Sequence, residues 1–360
     1  MYEVGIYSTG YYVPKNVITD EMIQPRLDLI KEGPAVGVKR EMLGVKESRF
    51  VSKDETATDM AYEATLNAIE NAKIDKSEID LIIYNSSTPD HLGSPDGYLL
   101  QHKLEIYDAA AITIVSGCSG FMSAITTGLK YVSDGTYKTV LVVCSEAVSK
   151  ICNIESDATG IEKSGALNAG DAAAAVILRR LKKGKKGIIS TDLGGDGRGY
   201  EVLMVPAGGL RMPATVENVK AGLTYARMDD NNFAYGDKAE HSVSATVQFA
   251  AESFTKGVTN VLNRAKLTVN DIDWLIPHQP NLGLITTLAK RYGIPLEKML
   301  ISIDKYACPW SATTPLTLAI ENEKNSFKSN DVIVMVAFGG GFGYGAVCFR
   351  WNNKNEFEED

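Results

Sequence analysis

Residues 72–83 have the sequence AKIDKSEIDLII, and residues 265–276, which begin 193 positions later, have the sequence AKLTVNDIDWLI. The two stretches align without a gap. Each follows a segment in which apolar residues recur at helical spacing, and each ends in a short apolar strand. The same offset places the apolar run Val140–Val143 on Ile333–Val336. A helix–strand unit therefore occurs twice, which predicts an α/β fold of two pseudo-symmetric halves.

The predicted strands are continuous apolar runs rather than alternating ones, as in sheets whose two faces are both covered by helices. No linker rich in Gly, Ser or Pro separates the two copies, so we expect the halves to pack as one body. The predicted halves are residues 1–178 and residues 179–360.

Composition restricts the classes of function. The chain has 360 residues, of which 44% are hydrophobic and 23% are charged, as in a globular protein with a large core. Its five cysteines lack paired or metal-type spacing, which argues against disulfides and a metal site and favours a reducing, cytoplasmic location. We expect no signal peptide and no membrane span. A net charge of −8 disfavours nucleic acid as a partner.

The candidate nucleophile is Cys118, in the segment ITIVSGCSGF of residues 112–121. An apolar strand ends there in a Ser-Gly turn, and helical spacing begins directly after the cysteine. A helix N-terminus presents free backbone N–H groups and a partial positive charge, so we expect a lowered thiol pKa. The neighbouring Gly117 and Gly120 leave room for a substrate. The alternative interpretation is a buried core cysteine.

Two further elements follow apolar strands in the second half. His278 lies in the segment LIPHQPN of residues 275–281, whereas His91, His102 and His241 lie in more polar surroundings. Side chains at strand ends converge on ligands in α/β proteins. Residues 339–341 are three successive glycines, whose backbone N–H groups can approach a ligand and stabilise an oxyanion.

An ordered set of motifs carries a resemblance over nearly the whole chain. The chain resembles the thiolase-like condensing enzymes, most closely the beta-ketoacyl-ACP synthase III family. The motifs that carry the resemblance are Gly5–Pro14, Leu43–Phe50, Glu55–Ala61, the segment around Cys118, Asn168–Ala174, His278–Asn281 and Phe338–Gly341.

This resemblance implies a duplicated thiolase-like fold with five layers (αβαβα), a homodimer and a Cys-His-Asn site. It implies that Cys118 takes an acyl group as a thioester from acyl-CoA or an acyl carrier protein. The N–H groups of Cys118 and Gly340 would hold the carbonyl oxygen, and His278 would bind the incoming thioester. No cofactor beyond these substrates is expected.

The family's catalytic Asn is absent, and Cys308 or Pro309 stands in its place, depending on the alignment. Cys308 and Ser311 are the nearest substitutes in the sequence. A lost donor at an enolate would cost roughly 2–4 kcal/mol of transition-state stabilisation unless another group replaces it.

Two surfaces are also expected from the resemblance. The aromatic residue that often closes the family's acyl pocket across the dimer falls on Gly93, so we expect a pocket at Leu92, Gly93, Ser94 and Phe338 that accepts a chain larger than acetyl. A family arginine five residues after the histidine is replaced by Gly283. The pair Lys290 and Arg291 remains to contact an acidic carrier protein.

The leading hypothesis is an acyl-thioester condensing enzyme of fatty-acid or polyketide-type metabolism, which joins the acyl group to a malonyl or beta-keto thioester. An alternative is acyl transfer to an oxygen or nitrogen nucleophile without decarboxylative condensation. Another is a non-catalytic partner subunit of a hetero-oligomeric synthase. An HMG-CoA-synthase-like enzyme ranks low, because it needs a catalytic Glu and only Asp90 lies near the expected position.

Overall fold

The structure is a computed structural model that describes residues 1–31, 36–154, 165–228 and 244–358. His241 therefore lies outside the described residues.

The elements alternate along the described chain. The strands are β1 (Val4–Tyr12), β2 (Asn16–Thr19), β3 (Glu47–Phe50), β4 (Leu81–Asn85), β5 (Ala110–Ile114), β6 (Val140–Ala147), β7 (Asp171–Arg180), β8 (Ile188–Gly195), β9 (Leu203–Met204), β10 (Arg227–Met228), β11 (Trp274–Pro277), β12 (Val332–Gly339) and β13 (Gly343–Arg350). The helices are α1 (Asp20–Leu27), α2 (Arg40–Leu43), α3 (Ala57–Ala72), α4 (Asp96–Leu104), α5 (Gly120–Asp134), α6 (Val148–Ile151), α7 (Val216–Lys220), α8 (Ala245–Ala265), α9 (Leu282–Tyr292), α10 (Ile303–Tyr306) and α11 (Thr313–Glu323).

The second main sheet repeats the topology of four strands of the first, which has β5 as a fifth strand. The first has the strand order β1-β7-β6-β4-β5 and the second β8-β13-β12-β11. In the first sheet Leu81 of β4 pairs in parallel with Val140 of β6. In the second sheet Trp274 of β11 pairs in parallel with Ile333 of β12. The two paired residues of the second sheet lie 193 positions after the two paired residues of the first. This is the offset found in the sequence, and it confirms the internal repeat.

The repeated helices also end in the same way. The residue that caps the C-terminus is Lys73 in helix α3 and Lys266 in helix α8, and both are in the left-handed conformation, with φ of 58° and 56°. A capped 3₁₀ turn follows each of them, at Lys76–Glu78 and at Val269–Asp271. Similar local sequences thus produce the same C-terminal cap and the same following turn in both halves.

Helices and sheets stack in five layers. Helix α3 packs on the outer face of the first sheet, and α8 packs on the outer face of the second. Helices α5 and α11 lie between the sheets. The central core includes Phe121 and Ile125 of α5, Val142 of β6 and Met335 of β12, all of them buried. This is the predicted αβαβα arrangement.

The halves meet near the predicted boundary. Strand β7 belongs to the first sheet and runs to Arg180, so the boundary between residues 178 and 179 falls inside this strand. The second sheet begins with β8 at Ile188. Within the described parts of the chain, the helices are too short or too polar to cross a membrane.

Strand β1 approaches α3 closely at Gly10. A Cβ atom there would lie 2.3 Å from the backbone nitrogen of Ala68 and 2.5 Å from the carbonyl oxygen of Ala64. Gly10→Ala should therefore lower the free energy of unfolding by about 1–3 kcal/mol, because backbone must move. Urea unfolding checks this value. Gly197→Ala is the matched control, since its Cβ would meet no atom within 4 Å. Equal unfolding midpoints for the two variants would contradict the prediction.

Candidate active site

Three chain segments that follow strands converge on one cavity of about 310 Å³. They are the turn after β5 with Cys118, the residue after β11, His278, and the end of β12 with Gly339 and Gly340. The cavity wall is mostly apolar. It also contains Leu43, Leu167, Val202, Leu203, Leu284, Phe338 and Phe342. The structure thus brings together the three elements predicted from the sequence.

Cys118 occupies a single 3₁₀ turn, Gly117–Ser119, directly before α5. Gly117 has a φ of 53°, a conformation that favours glycine. A Cβ on Gly117 would lie 2.7 Å from the carbonyl oxygen of Gly340, and a Cβ on Gly339 would lie 2.7 Å from Cys118 Sγ. The predicted strand-turn-helix arrangement is confirmed, and its glycines allow the loop after β12 to contact the thiol.

The Cys118 thiol is almost fully buried. Burial raises its pKa well above the ordinary value, and the nearby Cys308 and Glu146 raise it further. The backbone N–H groups of Gly340 and Cys118 act in the opposite direction. The expected lowering of the thiol pKa is therefore wrong, because the loss of hydration on burial outweighs the effect of the helix N-terminus. At neutral pH the residue is a thiol.

His278 is buried, and its backbone N–H donates to the carbonyl of Val336 in the neighbouring strand at 2.7 Å. Burial lowers the pKa of its imidazole to about 4, with a small opposing effect from the backbone of Trp310. The ring packs edge-on against Phe338, with 5.8 Å between ring centroids. The imidazole is therefore neutral at pH 7.

The two predicted substitutes for the missing Asn are placed differently. Cys308 lines the cavity, and its Sγ lies 3.9 Å from His278 Nε2. Ser311 is fully buried, where it accepts a hydrogen bond from Asn85 Nδ2 at 2.7 Å and donates to Glu146 Oε1 at 2.5 Å. Only Cys308 of the two contacts His278.

The loop around Cys308 has an unusual backbone. Ala307 and Trp310 have φ values of 50° and 39°, which are uncommon for residues with side chains. The backbone N–H of Cys308 donates to the carbonyl of Asn168 at 2.8 Å, and Asn168 Nδ2 donates to the carbonyl of Pro280 at 2.8 Å. These contacts hold the strained loop and place the Asn168 amide in the cavity wall.

The predicted acyl-pocket residues separate into two groups. Phe338 lines the Cys118 cavity. Leu92 is exposed and lines another cavity of about 520 Å³, while Gly93 and Ser94 are exposed. Gly93 has a φ of 93°, and a Cβ there would meet nothing within 4 Å. Within one chain, the structure does not bring residues 92–94 to Cys118.

The predicted carrier contact lies on the surface. Lys290 and Arg291 are exposed in the last turn of α9, the helix that begins shortly after His278. Among the described residues, no group of three or more His, Cys, Asp or Glu side chains is arranged to hold a metal ion.

Glu146 is the residue at this site that sequence reasoning missed. It lies near the end of β6, is fully buried, and accepts hydrogen bonds from Ser311, from the backbone N–H of Ser87 and from Thr88 Oγ1. Burial raises the pKa of its carboxyl group to about 7, although these donors act to lower it. An acidic residue inside the apolar run of residues 140–147 was the available signal.

Comparisons with known proteins find similar sequences and a similar fold. Residues 113–197 match the model of 3-Oxoacyl-[acyl-carrier-protein (ACP)] synthase III, and residues 262–351 match the model of its C-terminal part. Two similar relatives are beta-ketoacyl-[acyl-carrier-protein] synthases III. The one from Fusobacterium nucleatum is 32% identical over 98% of this chain and 99% of the relative. The one from Staphylococcus saprophyticus is 34% identical over 97% of this chain and 99% of the relative.

The solved structure of 3-oxoacyl-[acyl-carrier-protein] synthase III from Aquifex aeolicus is similar to this chain with a TM-score of 0.79. The two sequences are 29% identical, and the match covers 97% of this chain and 100% of the other.

The raised pKa of Cys118 predicts a defined pH dependence of alkylation. A thiol reacts as its thiolate, so below the pKa the rate should rise about tenfold for each pH unit. We expect the iodoacetamide rate at Cys118, followed by peptide mass spectrometry, to rise without a plateau from pH 7 to pH 9. A plateau below pH 8 would contradict the raised pKa.

Proposed function

The chain belongs to the 3-oxoacyl-[acyl-carrier-protein] synthase III family of thiolase-fold condensing enzymes, and we propose that it uses Cys118 as its acylated nucleophile. The acyl group would come from acyl-CoA or an acyl carrier protein and be joined to a malonyl or beta-keto thioester. The observation that carries the proposal is the convergence of Cys118, His278 and the Gly339–Gly341 loop on one largely apolar cavity.

The first half-reaction would transfer the acyl group to Cys118. The thiol loses its proton, its sulfur forms a bond to the carbonyl carbon of the donor, and the donor's carbon–sulfur bond breaks. The leaving thiolate then takes up a proton. The backbone N–H groups of Gly340 and Cys118 act to lower the pKa of the Cys118 thiol, which supports their proposed role as donors to the carbonyl oxygen during attack.

The second half-reaction would take place at His278. As a neutral imidazole, its Nε2 can donate a hydrogen bond to the thioester carbonyl of a malonyl group while carbon dioxide leaves. The resulting enolate carbon forms a bond to the acyl carbonyl carbon, and the bond from that carbon to Cys118 Sγ breaks. The released Cys118 thiolate then takes up a proton. Cys308 lies beside Nε2, where the family's Asn would act, and supplies only a weak S–H donor.

Acyl transfer without condensation is the second candidate function. The observation that favours it is the Cys308 thiol beside His278 Nε2, in place of a strong amide donor. A neutral imidazole next to an acyl-enzyme can also deprotonate a hydroxyl or an amine. The non-catalytic subunit is less well supported, because such a role does not need Cys118, His278 and Gly340 in one cavity.

The proposed partners are an acyl carrier protein and a second copy of this chain. The exposed Lys290 and Arg291 can attract an acidic carrier. Strand β5 forms an edge of the first sheet, and the exposed Val115 follows it directly. A β5–β5 contact between two chains would pair the backbone N–H and C=O groups of this edge. It would also bring the Leu92–Ser94 segment of one chain toward the acyl pocket of its neighbour. The cytoplasmic location remains a prediction.

Cys118→Ala should abolish the acyl-enzyme. Intact-mass analysis with a panel of acyl-CoAs and acyl carrier proteins should show one acyl adduct on the native protein and none on this variant. Cys348→Ala is the matched control, because Cys348 is buried in β13 and absent from the cavity wall. An adduct of native yield on Cys118→Ala would refute the assignment.

His278→Ala should leave acylation of Cys118 intact and slow turnover of the acyl-enzyme by about 10²–10⁴-fold. The low pKa of His278 keeps its imidazole neutral between about pH 5 and pH 8. In the native enzyme a second step in which His278 acts as a base should therefore be constant from pH 8 to pH 5 and fall as the pH drops through about 4, because protonation removes the basic nitrogen. Stopped-flow turnover of isolated acyl-enzyme measures both effects. Loss of acylation in His278→Ala would place the histidine in the first half-reaction instead.

Cys308→Asn separates condensation from simple transfer. If the native chemistry is condensation and another group supports the enolate, the new amide should change malonyl decarboxylation by less than about threefold. If the native chemistry is acyl transfer, the new amide should raise the rate of malonyl decarboxylation by much more than about threefold. Release of labelled carbon dioxide from malonyl thioesters measures the rate.

A further inference from the structure

The internal repeat gives the active site a buried counterpart. The offset of 193 positions relates Cys118 to Ser311, Asn85 to His278 and Glu146 to Gly339. Ser311 lies in a 3₁₀ turn before α11, as Cys118 does before α5, and the two turns contact each other. Each active-site element therefore has an equivalent in the other half.

The counterpart is a connected polar group. Asn85 Nδ2 donates to Ser311 Oγ at 2.7 Å, and Ser311 donates to Glu146 Oε1 at 2.5 Å. The backbone N–H of Ser87 donates to Glu146 Oε2 at 3.0 Å, and Thr88 Oγ1 donates to the same oxygen at 3.2 Å. Asn85, Ser311 and Glu146 are fully buried.

The structure shows no basic side chain against the Glu146 carboxylate among the residues that it describes. Its partners are hydroxyl and N–H groups, which stabilise the anion without neutralising it. The titratable groups near it are Cys144 on the same strand, Tyr84 on β4, Cys118 in the turn before α5 and Cys308 in the loop before Ser311. His278, in the wall with Cys118, is neutral.

We propose that Glu146 is a positioning residue for Cys118, because its buried carboxylate is held by Ser311, in the turn that contacts the Cys118 turn, and opposes ionisation of the thiol. A Cys118 thiolate in turn favours the protonated form of the Glu146 carboxyl group. When Glu146 is ionised, its charge holds Cys118 as the thiol. This is an equilibrium coupling between two sites, and it rests on the proposed role of Cys118 as nucleophile.

The position and the charge of Glu146 support this coupling. Its partner Ser311 lies in the turn that contacts the Cys118 turn, and the charge of Glu146 acts to raise the pKa of both Cys118 and Cys308.

Glu146→Gln tests the coupling, because it removes the charge and keeps the size of the side chain. The rate of iodoacetamide alkylation at Cys118 is measured from pH 6 to pH 10 by peptide mass spectrometry. At pH 8 it should rise about three- to tenfold, since the thiolate no longer competes with a buried carboxylate. Ser311→Ala, which removes a donor to the carboxylate, should shift the profile in the same direction by a smaller amount.

Asp171→Asn is the matched control. Asp171 is also a buried carboxylate with a pKa raised by burial to about 6, but it is held by Ser149 and the backbone of Val51, away from the cavity. This variant should leave the Cys118 profile unchanged.

A native alkylation profile in Glu146→Gln would overturn the proposal. If Glu146→Gln does not fold, as judged by its unfolding transition, a native profile in Ser311→Ala would overturn it instead. Alkylation does not require acyl transfer, so this experiment can succeed even where the acyl-enzyme assay fails.

Discussion

The contact between the Cys118 turn and the glycine loop after β12 is the constraint on which the site depends. The loop comes from the second sheet and the thiol from the first, and they meet because Gly117 and Gly339 carry no side chain there. A methyl group at either position would enter the space of the opposite backbone or of the sulfur. In the proposed mechanism, the first half would supply the nucleophile and one oxyanion donor, the Cys118 N–H, and the second half would supply the other donor, the Gly340 N–H, and the imidazole.

Burial determines the electrostatics of this contact. It keeps Cys118 protonated and His278 neutral at pH 7, and it raises the pKa of the Glu146 carboxyl group to about 7. A dry site strengthens each interaction that a developing oxyanion makes with fixed N–H groups. The same exclusion of water limits how much negative charge Cys118 and Glu146 can carry together. Acylation ends the charge coupling between Cys118 and Glu146, because a thioester carries no charge.

Much of the architecture could be predicted from the sequence. The repeat at residues 72–83 and 265–276 fixed which strands are equivalent, since capping and strand signals are local and the same in both copies. Cys118 and His278 were found because each directly follows an apolar strand. Three aspects were not predictable in this way. The pKa of Cys118 depends on its burial, Glu146 is concealed in an apolar strand, and the distance of Leu92 from the cavity depends on tertiary packing.

Single-turnover reaction of isolated, isotope-labelled acyl-enzyme with a malonyl thioester shows whether the acyl group on Cys118 is joined to a carbon nucleophile. We expect a 3-oxoacyl thioester that carries the labelled acyl group, the release of one equivalent of carbon dioxide and the return of Cys118 to the free thiol. An acyl-enzyme that survives the malonyl thioester, yet is discharged by a hydroxyl or amine acceptor to an ester or amide, would contradict this expectation.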